Sequence, residues 1–391
     1  MRLSLSPDQV FFRDTTARFL AEHVPAGELR RLRDDPAGFD PGYWRRGAEL
    51  GWTSLLVGEE HGGGTVSGDG LADATLVADA FGRHAAPGPL VGTNVVAAAL
   101  SRAGGDELAQ AVAELVSGAA TAAWCAAEPR PGNRLGAVAL QVRVDGGDVV
   151  LSGVKRPVES APQARHLLVT GRTGDGLTQV LVPADAPGVS VTPLRTVDLT
   201  RRFFTVVFDE VRLPASAVVG EIGGADGDVE HQRRLALVLE TAQAVGALQS
   251  AFDMTVRWAF DRYSFGRPLA SYQALKHRFA DMRTWLEASH AISDAAAEAV
   301  SSGSPDAGAL VSAAKAFVGD YGSRLLHECV QLHGGIGLTF EHDLHLFLRR
   351  HTVIRALDGT PADHRRRLAD LVERAASAAS GGPGGDREEA A

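Results

Sequence analysis

The chain has 391 residues, of which 45% are hydrophobic and 22% are charged, and its formal net charge is −9. This composition is typical of a globular protein with two or three domains, and the negative charge argues against a general binder of nucleic-acid backbones. The two cysteines form no CxxC pair, so we expect no disulfide framework and a cytoplasmic location. We find no targeting signal and no apolar run of membrane-spanning length, so we expect no membrane span.

Residues 1–118 are predicted to form a helical domain. Apolar residues recur at helical spacing in VFFRDTTARFLAEHV, and Ser6 followed by Pro7 is a favourable N-cap and first-turn pair. Further helical windows follow, and glycine-rich segments such as EEHGGGTVSGDG separate them.

Residues 119–228 are predicted to form a middle β domain. Short β-branched runs alternate with Gly, Asp and Pro turns, and VRVDGGDVVLSG is typical of a hairpin that turns between Asp145 and Asp148. Strands at this even spacing, with no helices between them, favour an antiparallel barrel or sandwich.

Residues 229–375 are predicted to form a C-terminal four-helix bundle, because four long helical windows follow one another with short connections. Residues 376–391, which include SGGPGGDREEAA, are predicted to be a disordered tail. The fold expected is therefore an α+β multidomain protein with a helical domain, a β-barrel domain and a helical bundle.

The usual phosphate and metal motifs are missing, since the sequence contains no GxxxxGK[ST] and no HExxH. His327, Cys329 and His333 do not converge as a metal ligand set on a helix, so we expect no metal. Three other stretches stand out, namely residues 261–282, 331–350 and 357–360. In the first, an arginine beside a glycine turn can hold a diphosphate, although such an arginine is also a common helix C-cap.

The first two stretches carry long patterns, RxxFGxPLxxxQxxKHxxADM and QxHGGIGxTxExDLxLxxRR. With the order of helical, β and helical domains over residues 5–375, they resemble the acyl-CoA dehydrogenase family. The resemblance implies FAD bound across a subunit interface, and hence a homologous protomer in a homo- or hetero-dimer or tetramer. It further implies an acyl-CoA substrate and an electron-transfer flavoprotein as acceptor. The residues that it places on the adenosine diphosphate half of FAD are Arg262, Phe265 and Gln273, with Gln331, Gly334 and Gly335 from the neighbouring subunit.

The positions that would face the flavin ring match the family less well. The resemblance places Trp124, Ala126 and Ala127 against the ring and keeps Glu128-Pro129, but RPGNR replaces the usual Gly-Ser segment. After Lys155 the family often has a Trp and a Thr, and this chain has Pro157-Val158-Glu159 instead. A ring wall and a hydroxyl partner of flavin N5 are therefore lost.

Removing the α proton of an acyl thioester needs a base. In the largest subgroup of the family this base is a Glu directly before Gly-Thr, and the resemblance places Asp358 at that position, as the first candidate base. Asp is one methylene shorter than Glu, and it could also be a helix-end residue that bonds to nearby backbone. Other members place the base on the first bundle helix, where Ala236 aligns. Glu240, one turn further on, is the second candidate, unless it forms an ion pair with Arg233 or Arg234. The resemblance places Thr360 near the flavin or its phosphates.

Three functions remain open on the sequence alone. The first is a FAD-dependent acyl-CoA dehydrogenase that removes an α proton and transfers the β hydride to flavin N5. The second is a non-catalytic or base-deficient partner subunit of a heteromeric dehydrogenase. The third is a flavin monooxygenase or nitrosynthase of the same fold, which needs no such base.

Overall fold

The computed structural model describes residues 5–129, 137–174 and 176–380. The N-terminal helices are α1 Pro7–His23, α2 Ala26–Leu32, α3 Pro41–Glu49, α4 Gly70–Arg83, α5 Leu90–Ala103 and α6 Asp106–Val116. The strands that follow are β1 Ala122–Cys125, β2 Gln141–Asp145, β3 Asp148–Glu159, β4 His166–Thr173, β5 Gly176–Pro183, β6 Val189–Pro193, β7 Phe203–Pro214 and β8 Val218–Val219. The C-terminal elements are α7 Asp226–Asp261, β9 Tyr263–Ser264, β10 Arg267–Pro268, α8 Gln273–Ser301, α9 Ala307–His333, α10 Leu344–Ala356 and α11 Pro361–Ser380.

The first helix begins where the sequence predicts. The Ser6 hydroxyl accepts from the Gln9 backbone N–H at 3.1 Å, and the Gln9 side chain accepts from the Ser6 N–H at 3.1 Å. This reciprocal capping box satisfies two donors that a helix end leaves free, and Pro7 occupies the first turn, where no donor is needed.

The middle domain is one sheet with the strand order β6-β7-β3-β2-β4-β5-β8, and β1 pairs with β4. The hairpin is confirmed, because Asp145 pairs with Asp148 across Gly146 and Gly147. The β domain is confirmed as well, although its pairings among the described residues form an open path rather than a closed barrel. Two of its pairings, β1 with β4 and β2 with β4, are parallel. The first of these pairs the whole of β1 with β4, and Trp124 of β1 lines the candidate site described below.

The C-terminal domain contains a helix that the sequence analysis did not predict. Beyond the four expected helices, α11 packs against α9. The Thr360 hydroxyl donates to Asp363 Oδ2 at 2.6 Å, and the Asp363 N–H donates to Thr360 Oγ1 at 3.3 Å. Thr360, Pro361 and Asp363 form a helix-start signal that was visible in the sequence. The helix reaches Ser380, so residues 376–380 are helical, and the rest of the predicted tail lies outside the described residues.

The longest helix, α7, runs through the centre of the hydrophobic core. By length and composition it could cross a bilayer, but 89% of its most apolar window is buried inside the protein, as in the core helix of a globular domain. One face of α7 meets the N-terminal domain through α4, while the other packs on α8 and α9.

Arg350 joins all three domains from α10. Its Nε donates to Asp198 Oδ2 at 2.6 Å, and its Nη2 donates to the carbonyl oxygens of Ala85 at 3.1 Å and Ala86 at 3.0 Å. Arg350 and Asp198 are both almost fully buried. A buried charge needs such complete hydrogen bonding, so this cluster fixes the domains around the cleft described next.

Candidate active site

A cavity of about 290 Å³ lies where the three domains meet. Its walls come from the start of α5, the ends of β1 and β3, the start of β7, the first half of α7 and the turn after α10. It brings together two groups that the sequence analysis proposed separately: the ring-contact positions Trp124, Ala126 and Ala127, and the carboxylates Glu240 and Asp358. This volume is at the small end for ligand pockets, so it suits one ring system rather than a whole dinucleotide.

Glu240 is a buried carboxylate on the α7 face of this cavity, with only 3% of its surface exposed. Its Oε1 lies 3.8 Å from Arg201 Nη2, and its Oε2 lies 3.5 Å from Lys315 Nζ. Burial raises the pKa of Glu240 to about 7, and the nearby Asp358 adds to the rise, while Lys315 and Arg201 oppose it. Glu240 can therefore exchange a proton near neutral pH.

The predicted ion-pair partners of Glu240 were wrong. Arg233 and Arg234 both bind Glu230, at 3.1 Å and 3.2 Å, because residues three and four apart share a face of α7. The partners observed are Arg201, from the segment before β7, and Lys315, from α9. Both are distant in sequence, so helix periodicity gave no indication of them.

Lys315 nevertheless left a signal in the sequence. The chain has only three lysines among its 39 basic residues, and Lys315 stands in the apolar run LVSAAKAFV of α9. An isolated cation on the apolar face of a helix needs a buried acceptor, which here is Glu240 together with the Ile354 carbonyl at 2.5 Å. No comparable signal marks Arg201.

Glu159 and Arg201 form a two-pronged ion pair at the cavity wall. Arg201 Nε donates to Glu159 Oε1 at 2.6 Å, and Nη2 donates to Oε2 at 2.7 Å. Burial alone would lower the pKa of Arg201, but the carboxylates of Glu159, Glu240 and Asp198 outweigh it and raise the pKa. The Glu159–Arg201 ion pair therefore occupies the position where the resemblance implies the loss of the hydroxyl partner of flavin N5.

Asp358 lies in the turn after α10, in the left-handed region with φ +51°, and Gly359 follows with φ +104°. Its carbonyl oxygen accepts from His364 Nε2 at 3.0 Å when the imidazole is in its Nε2–H tautomer. Among the described residues, the Asp358 carboxylate itself has no hydrogen bond or ion pair, so it does not make the turn bond considered from the sequence. The turn is fixed through the backbone, and the carboxylate lines the cavity.

Hydrogen bonds from side chains and from the backbone hold the ring-contact positions in place. Trp124 Nε1 donates to Gln232 Oε1 at 3.2 Å. The Ala126 carbonyl accepts from Lys155 Nζ at 3.3 Å, and the Ala127 carbonyl accepts from the Arg156 N–H at 2.8 Å. The RPGNR segment that follows Pro129 lies outside the described residues.

The predicted diphosphate positions lie away from the cavity, on the surface of the bundle. Arg262 lies 6.0 Å from the Trp258 ring, which stacks on His333 at 5.4 Å, so the ends of α7 and α9 are neighbours. Phe265 is 98% exposed. The other positions, which are exposed as well, are Gln273, Gln331, Gly334 and Gly335. Thr360 does not line the cavity, and its hydroxyl is engaged in capping α11.

Within residues 5–129, 137–174 and 176–380, no group of His, Cys, Asp or Glu has the arrangement of a metal site. His333 Nδ1 instead lies 2.8 Å from the carbonyl oxygen of the buried Cys329, one helical turn earlier.

Three family models match the chain in order. They describe the N-terminal domain of acyl-CoA dehydrogenases at residues 6–119, the middle domain at 123–211 and the C-terminal domain at 231–372. The acyl-CoA dehydrogenase IpdE2 of Mycobacterium tuberculosis is 30% identical over 93% of this chain and 97% of its own. The chain belongs to the acyl-CoA dehydrogenase family. The predictions of the family, of its fold and of an oxidoreductase are thereby confirmed.

Two solved structures share this fold over nearly the whole chain. A variant of the Tcur3481-Tcur3483 steroid acyl-CoA dehydrogenase matches with a TM-score of 0.87 and 26% identity, over 96% of this chain and 100% of the other. The ChsE4-ChsE5 complex from Mycobacterium tuberculosis matches with a TM-score of 0.86 and 26% identity, over 95% and 99%.

The prediction of FAD, the cofactor of acyl-CoA dehydrogenases, is confirmed at the level of the family. The residues present fit it in part. The cavity has an aromatic wall in Trp124 and room for a ring system, but Glu159 and Arg201 place charge beside it. The positions for the diphosphate half are exposed on a separate surface, which fits a cofactor completed by a second protomer.

Proposed function

We propose that the protein desaturates an acyl-CoA thioester between its α and β carbons, with Glu240 as the base. The observation that carries this proposal is a buried carboxylate that lines the cavity and whose pKa is raised to about 7. A general base works best when its pKa lies near the working pH, because it is then both ionised and a strong proton acceptor.

The surroundings of Glu240 support this role. Arg201 lies beside one of its oxygens and Lys315 beside the other, which orients the carboxylate without removing it from the cavity wall. Asp358 shares the cavity and adds negative charge, which favours the protonated form of Glu240. Bound FAD supplies the acceptor for the hydride that leaves the β carbon.

Asp358 is the alternative base, and its lack of partners among the described residues leaves it free to move. Its half-buried carboxylate is the weaker candidate, because its environment does not hold a proton acceptor in one orientation. We therefore propose that Asp358 raises the pKa of Glu240 and does not itself act as the base.

The proposed substrate is an acyl-CoA with a bulky ring-containing acyl group. The supporting observation is that a protein 26% identical over nearly the whole chain is named a steroid acyl-CoA dehydrogenase. We further propose electron-transfer flavoprotein as the acceptor of the electrons and the cytoplasm as the location.

A second candidate is a partner subunit that does not perform the chemistry itself. The Glu159–Arg201 pair beside the ring-contact wall favours it, because a charge pair replaces the hydroxyl that would contact the flavin. The similar ChsE4-ChsE5 structure is a complex of two differently named chains, which supports assembly of this chain with an unlike homologue.

One experiment separates these candidates. The purified chain, reconstituted with FAD, is mixed without oxygen with a polycyclic acyl-CoA, and bleaching of the flavin absorbance is followed. Bleaching by the lone chain supports the dehydrogenase and contradicts the partner-subunit candidate. The partner-subunit candidate predicts that bleaching requires co-expression with a homologous chain. It also predicts that bleaching persists when the present chain carries E240Q. Failure to bind FAD with or without a homologue contradicts both.

A further inference from the structure

Both cations beside Glu240 are held more closely by another acceptor. Lys315 Nζ lies 3.5 Å from Glu240 Oε2 but only 2.5 Å from the carbonyl oxygen of Ile354. Arg201 Nη2 lies 3.8 Å from Glu240 Oε1, which is too far for a hydrogen bond, but 2.7 Å from Glu159 Oε2. The buried carboxylate of Glu240 therefore lies near two positive charges, each of which has a closer partner.

Of these two competing acceptors, Glu159 is the one that carries a charge. Its carboxylate accepts from Arg201 Nε at 2.6 Å and from Nη2 at 2.7 Å. A two-pronged pair of this kind is the preferred geometry between a guanidinium and a carboxylate. The Arg201 side chain is 4% exposed and that of Glu159 is 11% exposed, so water screens the pair little. Glu159 thus offsets most of the positive charge that Arg201 would otherwise present to its second neighbour.

The other charges at this cavity are paired elsewhere or open to water. The ionisable side chains that line it together with the proposed base are Glu128, Glu159, Asp358, Arg156, Arg201 and Arg233. Glu128 is bound to the buried Lys155 at 2.8 Å. Arg233 is bound to Glu230 at 3.1 Å, and Arg156 is exposed to solvent. These arginines therefore do not take the place of the guanidinium that Glu159 holds.

We propose that Glu159 is a positioning residue that acts through Arg201, because it binds the guanidinium and thereby keeps Glu240 a strong proton acceptor. This inference rests on the function proposed above. A base bound directly to an arginine would be ionised but would accept the α proton poorly, since the arginine stabilises its charged form. The raised pKa of Glu240 agrees with this arrangement, and the charges of Asp358 and Glu159 both contribute to the rise.

The test measures the protonation of Glu240 directly and needs neither substrate nor turnover. A protonated carboxyl has an infrared C=O stretching band that an ionised carboxylate lacks. The difference between spectra of the native chain and of E240Q, at equal flavin content, isolates the band of this one residue. Its amplitude is followed against pH, and in the native chain it should disappear as the pH rises through about 7.

Two substitutions test the route through Arg201. E159Q keeps the shape of the side chain but removes the charge that holds the guanidinium, so the pKa of Glu240 should fall by at least about one unit. In an R201Q background the same substitution should cause less than half of that shift, because only the direct repulsion between the two carboxylates is then lost.

E114Q is the matched control. Glu114 is 18% exposed, pairs with Arg165 and His166, and does not line the cavity, so its loss should leave the pKa of Glu240 unchanged. Thermal melting checks that each variant is folded. If E159Q does not fold, E159D takes its place, since its shorter carboxylate lengthens the bonds to Arg201 and should lower the same pKa.

The outcomes separate this inference from the proposed function. If the pKa of Glu240 does not fall in E159Q, or in E159D where that variant is needed, the inference is overturned. An equal fall in the R201Q background overturns it as well, because Glu159 then acts without Arg201. If the fall depends on Arg201 but the native chain desaturates no acyl-CoA, the coupling of the three side chains stands and the dehydrogenase proposal fails.

Discussion

Lys315 Nζ lies 3.5 Å from Glu240 Oε2, and both side chains are almost fully buried. The same ammonium donates to the Ile354 carbonyl at 2.5 Å, in the last turn of α10 before Asp358. One cation thus links the proposed base on α7 to the turn that carries the second carboxylate. Glu240 and Asp358 therefore lie in different environments, and such a difference allows two carboxylates of one site to have different roles.

The first prediction separates the two carboxylates by activity. E240Q removes the proposed base and should lower kcat by about 100-fold to 10,000-fold, the usual contribution of a general base. D358N should lower kcat by less than about tenfold, because Asp358 only tunes its neighbour. Flavin reduction in single-turnover mixing measures both, and the reverse order would assign the base to Asp358.

The pH dependence of the rate should follow Glu240. Since a base must be ionised, kcat should rise with pH through about 7, the pKa to which burial raises this carboxyl. D358N removes a negative charge near Glu240, which lowers the pKa of Glu240, and should move the rise of kcat to lower pH. K315M removes a positive neighbour and should move it to higher pH. Shifts in the same direction, or no shift in either variant, would contradict the assignment.

The exposed surface around Phe265 should be needed for FAD and for assembly. Six large exposed hydrophobic residues lie in the two segments that follow the neighbouring ends of α7 and α9 or close them, namely Phe260, Tyr263, Phe265, Ile336, Leu338 and Phe340. F265D should weaken oligomers in analytical ultracentrifugation and lower bound flavin, because a charge is costly in an apolar interface. F11D is the matched control on α1, where Phe11 is 69% exposed. Equal flavin content in both variants would argue against an interface at Phe265.

Acid should destabilise the protein through His364. Burial lowers the pKa of His364 to about 4, so the folded protein keeps it neutral where the unfolded chain, with a pKa near 6.5, binds a proton. Above pH 6.5 His364 is neutral in both states and does not reduce the free energy of unfolding. As the pH falls from 6.5 towards 4, only the unfolded chain gains the proton, and the free energy of unfolding falls by up to about 3 kcal/mol. H364Q, which can still donate to the Asp358 carbonyl, should flatten this part of the curve of unfolding free energy against pH. H277Q, at an exposed histidine of α8, should leave it unchanged.

Arg350 should dominate the stability of the domain junction. R350A leaves the Asp198 carboxylate buried without its cation, which typically costs about 3–5 kcal/mol. Its neighbour Arg349 donates to an exposed carbonyl of Val197 and lies over the exposed Phe340 ring, so R349A should cost less than about 1 kcal/mol. Urea unfolding compares the two, and similar losses would show that the buried pair does not tie the domains together.

Local sequence rules predicted much of the fold because local chemistry determines those elements. Ser6-Pro7 marked the start of α1, Gly146-Gly147 marked the hairpin, and long apolar periodicity marked the bundle helices. The missed helix α11 had an equally local signal in Thr360-Pro361. Two long patterns at residues 261–282 and 331–350 were sufficient to indicate the family.

The tertiary structure decided what surrounds the reactive groups. Glu240 could be proposed from its place on α7, but its partners Arg201 and Lys315 come from segments distant in the chain. The pKa of a carboxyl depends on burial and on every charge within a few ångströms, and neither quantity is encoded in sequence spacing. The chain by itself specified which chemistry to look for, and only the packing of three domains determined which acid is buried and which cations pair with it.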